Sequence, residues 1–217
     1  MHIYIFASPS TTATIPDYIP CRQEPPIIEA ALLANPWYAA ALVVAEYVFG
    51  YVVALYEARL YLAGAQEHIR YREGYPLARE YAATWQRGRP ASWRFLALLL
   101  VVALAIPLVG QVAVQCFSRP ELFMAIVGGL VLVDAAESLE HLRNIALFNQ
   151  ALGGASVGGK IELGRRATLT MRYVEWYSLA AIYFLIALVA GSWFCAGGAL
   201  GCVVAAQRLR DWVIVRT

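Results

Sequence analysis

Five side chains with acid, base or ligand chemistry crowd one stretch of this sequence: Asp134, Glu137, Glu140, His141 and Asn144. On an α-helix each residue advances about 100°, so all five fall within an arc of about 120°. Asp134, Glu137 and His141 follow an i, i+3, i+7 pattern and stack on one face. The same helix opens with the apolar run Gly128-Gly129-Leu130-Val131-Leu132-Val133. Acids in such a setting require a partner, a cavity or a task. Carboxylates gathered on one face attract a cation or hand on a proton. An imidazole beside them exchanges a proton near neutral pH or joins a metal.

An earlier apolar stretch carries the acids Glu46 and Glu57. Eleven residues of helix return nearly to the same azimuth, so the two differ by about 20° and stand about 16 Å apart along the axis. Glu57 lies at the expected depth of Glu140. The expected relay for a cation or proton is therefore Glu57, Asp134, Glu137, Glu140 and His141. Glu46, Tyr61, Arg143 and Asn144 are expected to orient it.

Two other chemistries compete. Glu137, Glu140, His141 and Glu57 are a possible ligand set for a divalent transition metal, catalytic or structural. The paired Glu-x-x-His of di-iron bundles is missing, as are HExxH and GxSxG. In the remaining reading the acids are merely neutralised. Glu140 then pairs with Arg143 on its own helix. Asp134 and Glu137 bond to hydroxyls such as Tyr47, Tyr51, Tyr177 or Tyr183, and the chain is a structural or accessory subunit.

The elements that carry these residues are apolar helices. Of 217 residues, 60% are hydrophobic and 15% charged, and the mean hydropathy is +0.57. A soluble domain is about 45–50% apolar and about 25% charged. The expected fold is an all-α, polytopic integral membrane bundle of five spans. They are Trp37–Gly64, Trp93–Val114, Leu122–Phe148, Tyr173–Ala190 and a short Trp193–Ala206. Residues 1–36 are expected as an extracytoplasmic tail containing an interfacial helix near Ile27–Leu33. Residues 37–207 form the bundle, and 208–217 a cytoplasmic tail. No secretory leader is read in the first residues.

Of 17 basic residues, Lys160 alone is a lysine. The arginines crowd the connections 65–92 and 149–172, whereas the 115–121 turn holds only Arg119. By the positive-inside rule this sets the N-terminus outside and the C-terminus in the cytoplasm of a cell inner membrane. No basic helix interleaved with aromatics suggests nucleic-acid binding. The expected partners are the bilayer and a cation or small solute.

A weak parallel repeat is also legible. Glu57-Ala58-Arg59-Leu60-Tyr61 matches Glu140-His141-Leu142-Arg143-Asn144 in place and texture. Gly128, Gly129, Gly191, Gly197, Gly198 and Gly201 are expected at close helix contacts, within the chain or between copies of a homo-oligomer. Trp37, Trp93, Trp176, Trp193 and Trp212 are expected as interface anchors. Cys195 and Cys202 read as small hydrophobes. Cys21 and Cys116 are expected to face one compartment, where a disulfide could join them.

Overall fold

A computed structural model describes residues 26–71, 92–153 and 160–214. It consists of six helices and one small two-stranded sheet. Helix α1 (Ile27–Ala34) ends at Asn35, whose side-chain oxygen accepts from Trp37 N at 3.1 Å and starts α2 (Pro36–Leu60). Pro36 occupies the first turn, where its missing N–H has no helical use. The chain then makes a wide turn at Tyr61–Ala65, with Gly64 at φ 145°, and one last helical turn, Gln66–His68. Ser92 caps α3 (Trp93–Gln111) by accepting from Phe95 N at 3.2 Å. Pro107 stands inside α3 without ending it. Helix α4 runs from Pro120 to Leu152, α5 from Arg165 to Ala190 and α6 from Trp193 to Ile214.

Four helical segments are long and apolar enough to cross a membrane: Pro36–His68, Trp93–Cys116, Pro120–Leu152 and Arg165–Ala190. Helix α6 matches them in length but not in apolarity. Its glycines, together with Arg208, Arg210 and Asp211, dilute the run. The expected bundle boundary at 207 falls inside α6, which continues unbroken to Ile214. Helix α5 starts well before the expected Tyr173, because the arginine-rich 165–172 stretch is helix and not connection.

The paired contacts give each helix its direction. Gly50 meets Ser138 and Asp134. Glu57 meets His141 and Asn144. Tyr61 meets Phe148, and Gly64 meets Leu152. Both numbers rise together, so α2 and α4 run parallel. Helix α3 returns antiparallel beside α2, with Tyr51 stacked on Phe95 at 3.9 Å and Pro36 beside Gly110. Helix α6 lies parallel to α4, Gly197 against Ala125 and Gly201 against Gly129.

The α4–α6 seam is built by glycine. A Cβ on Gly128 would fall on the Phe194 carbonyl, and one on Gly197 on the Ala125 carbonyl. The small residues thus serve a contact within the chain. Gly191 plays a different part, ending α5 in the left-handed conformation (φ 63°) that favours glycine.

An all-α fold is nearly what is found. The exception is a parallel pair, β1 (Ile69–Tyr71) with β2 (Ile161–Leu163), at the arginine-rich end of α2 and α4. Ile69 and Tyr71 of β1 and Ile161 and Leu163 of β2 put apolar residues at alternate places in both strands. Ile69 packs there with Tyr61, Ala65, Phe148 and Ala151 in a separate apolar cluster. Trp37, Trp93, Trp193 and Trp212 are exposed, as anchors require, but Trp176 is buried. It packs with Ala136, Ala180, Cys202 and Ala206 between α4, α5 and α6. Cys21 lies outside the described residues, as do Glu73, the 72–91 arginines and the glycine run 154–159.

Helix α1 is more than a surface helix. Its Glu29 is 4% exposed and accepts from the Ser192 hydroxyl and from Phe194 N at 3.3 Å. Ser192 Oγ in turn accepts from Cys195 N at 3.1 Å. A carboxylate is thereby set at the positive N-terminus of α6. Glu29→Ala removes an acceptor from two buried donors, and is expected to cost about 1–3 kcal/mol. Thermal unfolding of the detergent-solubilised protein checks this, with a fall of several degrees expected.

Candidate functional site

The polar face of α4 is divided among three neighbours. Toward α2 it meets Glu57, which is fully buried. Asn144 Nδ2 donates to Glu57 Oε1 at 2.7 Å, and His141 Nδ1 lies 2.5 Å from Oε2. With Oε2 as acceptor, His141 supplies the proton between them. Both carboxylate oxygens of this buried acid are therefore engaged. The two segments that resemble each other in sequence touch at this point.

Toward α5 the face is an ion-pair ladder. Arg172 Nε lies 2.8 Å from Glu140, and Arg143 pairs with Glu175. This corrects one expectation: Glu140 is neutralised by the neighbouring helix and not by Arg143. One turn along the helix is within reach for Glu140 and Arg143, but Arg172 and Glu175 of α5 offer each the same chemistry across the gap.

Toward α2 and α3, farther from the arginine-rich end, the face opens on a cavity of about 300 Å³. Tyr47, Gly50 and Tyr51 of α2, Phe95 and Leu98 of α3, and Asp134, Glu137, Ser138 and His141 of α4 line it. Asp134 Oδ2 and Ser138 Oγ are buried and have no hydrogen-bond partner among the described residues. Both point at Gly50: a Cβ there would stand 3.0 Å from Ser138 Oγ and 3.2 Å from Asp134 Oδ2. The Tyr51 hydroxyl, on the same cavity wall, accepts from Ser92 N at 3.2 Å. Glu137, Glu46 and His141 are close enough to act on Asp134 electrostatically. Glu121 Oε2 is similarly unpartnered, but in the first turn of α4, where the helix dipole favours it.

A longer groove of about 990 Å³ lies on the other side of Asp134, bounded by α4 and α6. Tyr47, Asp134 and Glu137 belong to both spaces. Glu137 itself is exposed.

The expected site residues thus sort themselves by geometry. Glu57, His141 and Asn144 form one cluster. Asp134 and Glu137 line the cavity, with His141 joining the two. Glu46 is beside Asp134. Glu140 and Arg143 belong to the ladder. Tyr61 tilts against Phe148 (5.5 Å) and Tyr71 (6.0 Å), one turn beyond Glu57. Burial in this aromatic cap, with the Glu57 charge nearby, pushes the Tyr71 hydroxyl up to about 12. Among the described residues no three His, Cys, Asp or Glu side chains form a metal-ligand group. The expected set of Glu137, Glu140, His141 and Glu57 is not gathered, because Glu140 turns to Arg172 and Glu57 is closed by His141 and Asn144.

Sequence reasoning missed Ser138, Arg172 and Glu175 as site neighbours. Ser138 is one residue beyond Glu137 and reads as a filler in an apolar helix. The spacing Arg172-x-x-Glu175 mirrors Glu140-x-x-Arg143, and that complementarity was a usable signal.

Compared with known proteins, the chain matches no family model, no curated protein and no solved structure.

Proposed function

We propose that this chain is a polytopic protein of the cell inner membrane that carries or conducts a cation or small solute past Asp134. The observation that carries the reading is a pair of buried polar atoms without a partner among the described residues, Asp134 Oδ2 and Ser138 Oγ, facing one cavity. Buried polar atoms of this kind are satisfied by water, a cation or a donor-bearing solute. His141 links the cavity wall to Glu57 and provides a route for a proton.

Membrane residence is supported by the outer faces of α3 and α5. Leu100, Val101, Leu104 and Leu108 are more than half exposed, and so are Leu185, Leu188 and Val189. Apolar belts of this extent are costly in water and natural in lipid. A fifth pass by α6 is supported by its course beside α4 and by a length of about 33 Å, enough for a hydrocarbon core of about 30 Å. The arginine-rich end, where α2 and α4 finish and α5 begins, is assigned to the cytoplasm. The N-terminus is then outside and the C-terminus inside.

The test is flux. Wild-type protein in liposomes is expected to pass a monovalent cation, and Asp134→Asn to reduce the rate at least tenfold. Wild-type-like flux in both Asp134→Asn and Glu137→Gln would refute the reading. An accessory-subunit role is favoured by one observation, the α4–α5 ladder, which neutralises Glu140 and Arg143 without any ligand. Absence of flux with an intact fold supports that role.

A further inference from the structure

The polar cavity and the lateral groove adjoin across Asp134 and differ in character. They share Tyr47, Asp134 and Glu137. The cavity half holds the two polar atoms that lack a partner among the described residues, and Ser138, which bears one of them, is only 2% exposed. The groove half is walled by apolar side chains, among them Ile126 and Leu130 of α4 and Leu200 and Val204 of α6. Its α4 wall extends from Leu122 to Glu137, about 22 Å at the helical rise. That exceeds one bilayer leaflet of about 15 Å.

The charges select the occupant. Among the described residues neither Asp134 nor Glu137 has an ion-pair partner. Two cations also line the groove: Arg172 is held by Glu140, and Arg208 lies over the Trp212 ring at 5.5 Å. A negative head group would meet two carboxylates. A neutral one would leave them uncompensated in an apolar wall. A small inorganic ion fills the polar half and leaves the groove without a role.

We infer that the substrate is an amphiphilic primary amine, its ammonium bound between Asp134 and Ser138 and its alkyl chain lying in the α4–α6 groove. An ammonium carries three donors, enough for Asp134 Oδ2 and Ser138 Oγ together, and a charge for the carboxylates. The chain buries its methylenes against the groove wall. Access is sideways, from the lipid. This rests on the reading of Asp134 as a cation site and names what that cation is attached to.

Photolabelling tests it on the full chain in lipid nanodiscs. The probe is dodecylamine with a terminal diazirine; the control is the matching dodecanol. Labelled peptides are located by mass spectrometry. The amine is expected to label α4 and α6 at least tenfold more than the alcohol, and Asp134→Asn/Glu137→Gln to abolish that preference. Ser138→Ala, which changes neither charge nor helix, is expected to reduce it severalfold and serves if the double variant misfolds. Equal labelling by amine and alcohol overturns the inference. Potassium flux that depends on Asp134, without amine preference, overturns it too and leaves the cation reading standing. Amine preference without translocation of amine or potassium supports the inference and overturns transport.

Discussion

Glu57→Ala is expected to destabilise the folded chain by about 2–5 kcal/mol, since it takes the acceptor from two hydrogen bonds at about 1–3 kcal/mol each. The alanine leaves Asn144 Nδ2 without its acceptor and His141 without its carboxylate, both between packed helices. It also opens a void at a fully buried position. Glu57→Gln should be milder, because an amide oxygen can still accept from Asn144. Glu57→Met combined with His141→Leu should recover part of the loss, since it removes the unpaired partner along with the acid. Thermal melts of the four proteins in one detergent check the order. A melting temperature unchanged in Glu57→Ala would show that Glu57 is not what joins α2 to α4.

The second large effect is expected at the α4–α6 seam. Gly197→Leu places its first side-chain carbon on the backbone carbonyl of Ala125. A flexible side chain can step aside, but a helix backbone cannot. The two helices must separate, and the contacts of Gly128, Gly198 and Gly201 separate with them. Overpacking costs about 1–3 kcal/mol where side chains yield, and this position should exceed that range. The expected result is a variant that aggregates on extraction or runs as an expanded species on size exclusion. Gly201→Ala should be better tolerated, because the nearest atom is Val133 Cγ2 at 2.6 Å, a side-chain methyl. Gly164, with nothing within 4 Å of its missing Cβ, is the control. Normal behaviour of Gly197→Leu would mean that the seam is loose.

Much of this arrangement was legible from residue spacing. The clustering of polar groups between Asp134 and Asn144 follows from helical periodicity, and so does the pairing of that face with Glu57, the acid at matching depth. The glycines of α4 and α6 marked a close contact. What spacing cannot give is the neighbour at each azimuth. Glu140 and His141 are adjacent in sequence, yet one reaches α5 and the other α2. A helical wheel sets their directions about 100° apart without saying what stands there. Arg172 was hidden because a run rich in arginine reads as connection, although arginine is a good helix former. The strands were hidden by their length, three residues each, too short for any alternation to register. Glu29 was hidden because its partner, Ser192, is 163 residues away.

The small parallel sheet has a consequence for how the chain is assembled. Ile69 and Ile161 are partners about 90 residues apart, so the pairing closes a long loop and is entropically disfavoured until its ends are already neighbours. Those ends are carried by α2 and α4, which means that α2, α3 and α4 must all be placed before β1 finds β2. Parallel strands of three residues have little strength of their own. The sheet therefore does not drive folding; it follows the placement of α2 and α4. A ribosome must deliver at least residue 163 before the two ends of the first three long helices can be fastened. Until then Glu57 and the aromatic cap above it depend on the α2–α4 contact alone. The clasp is a late latch on the half of the molecule that holds the acids.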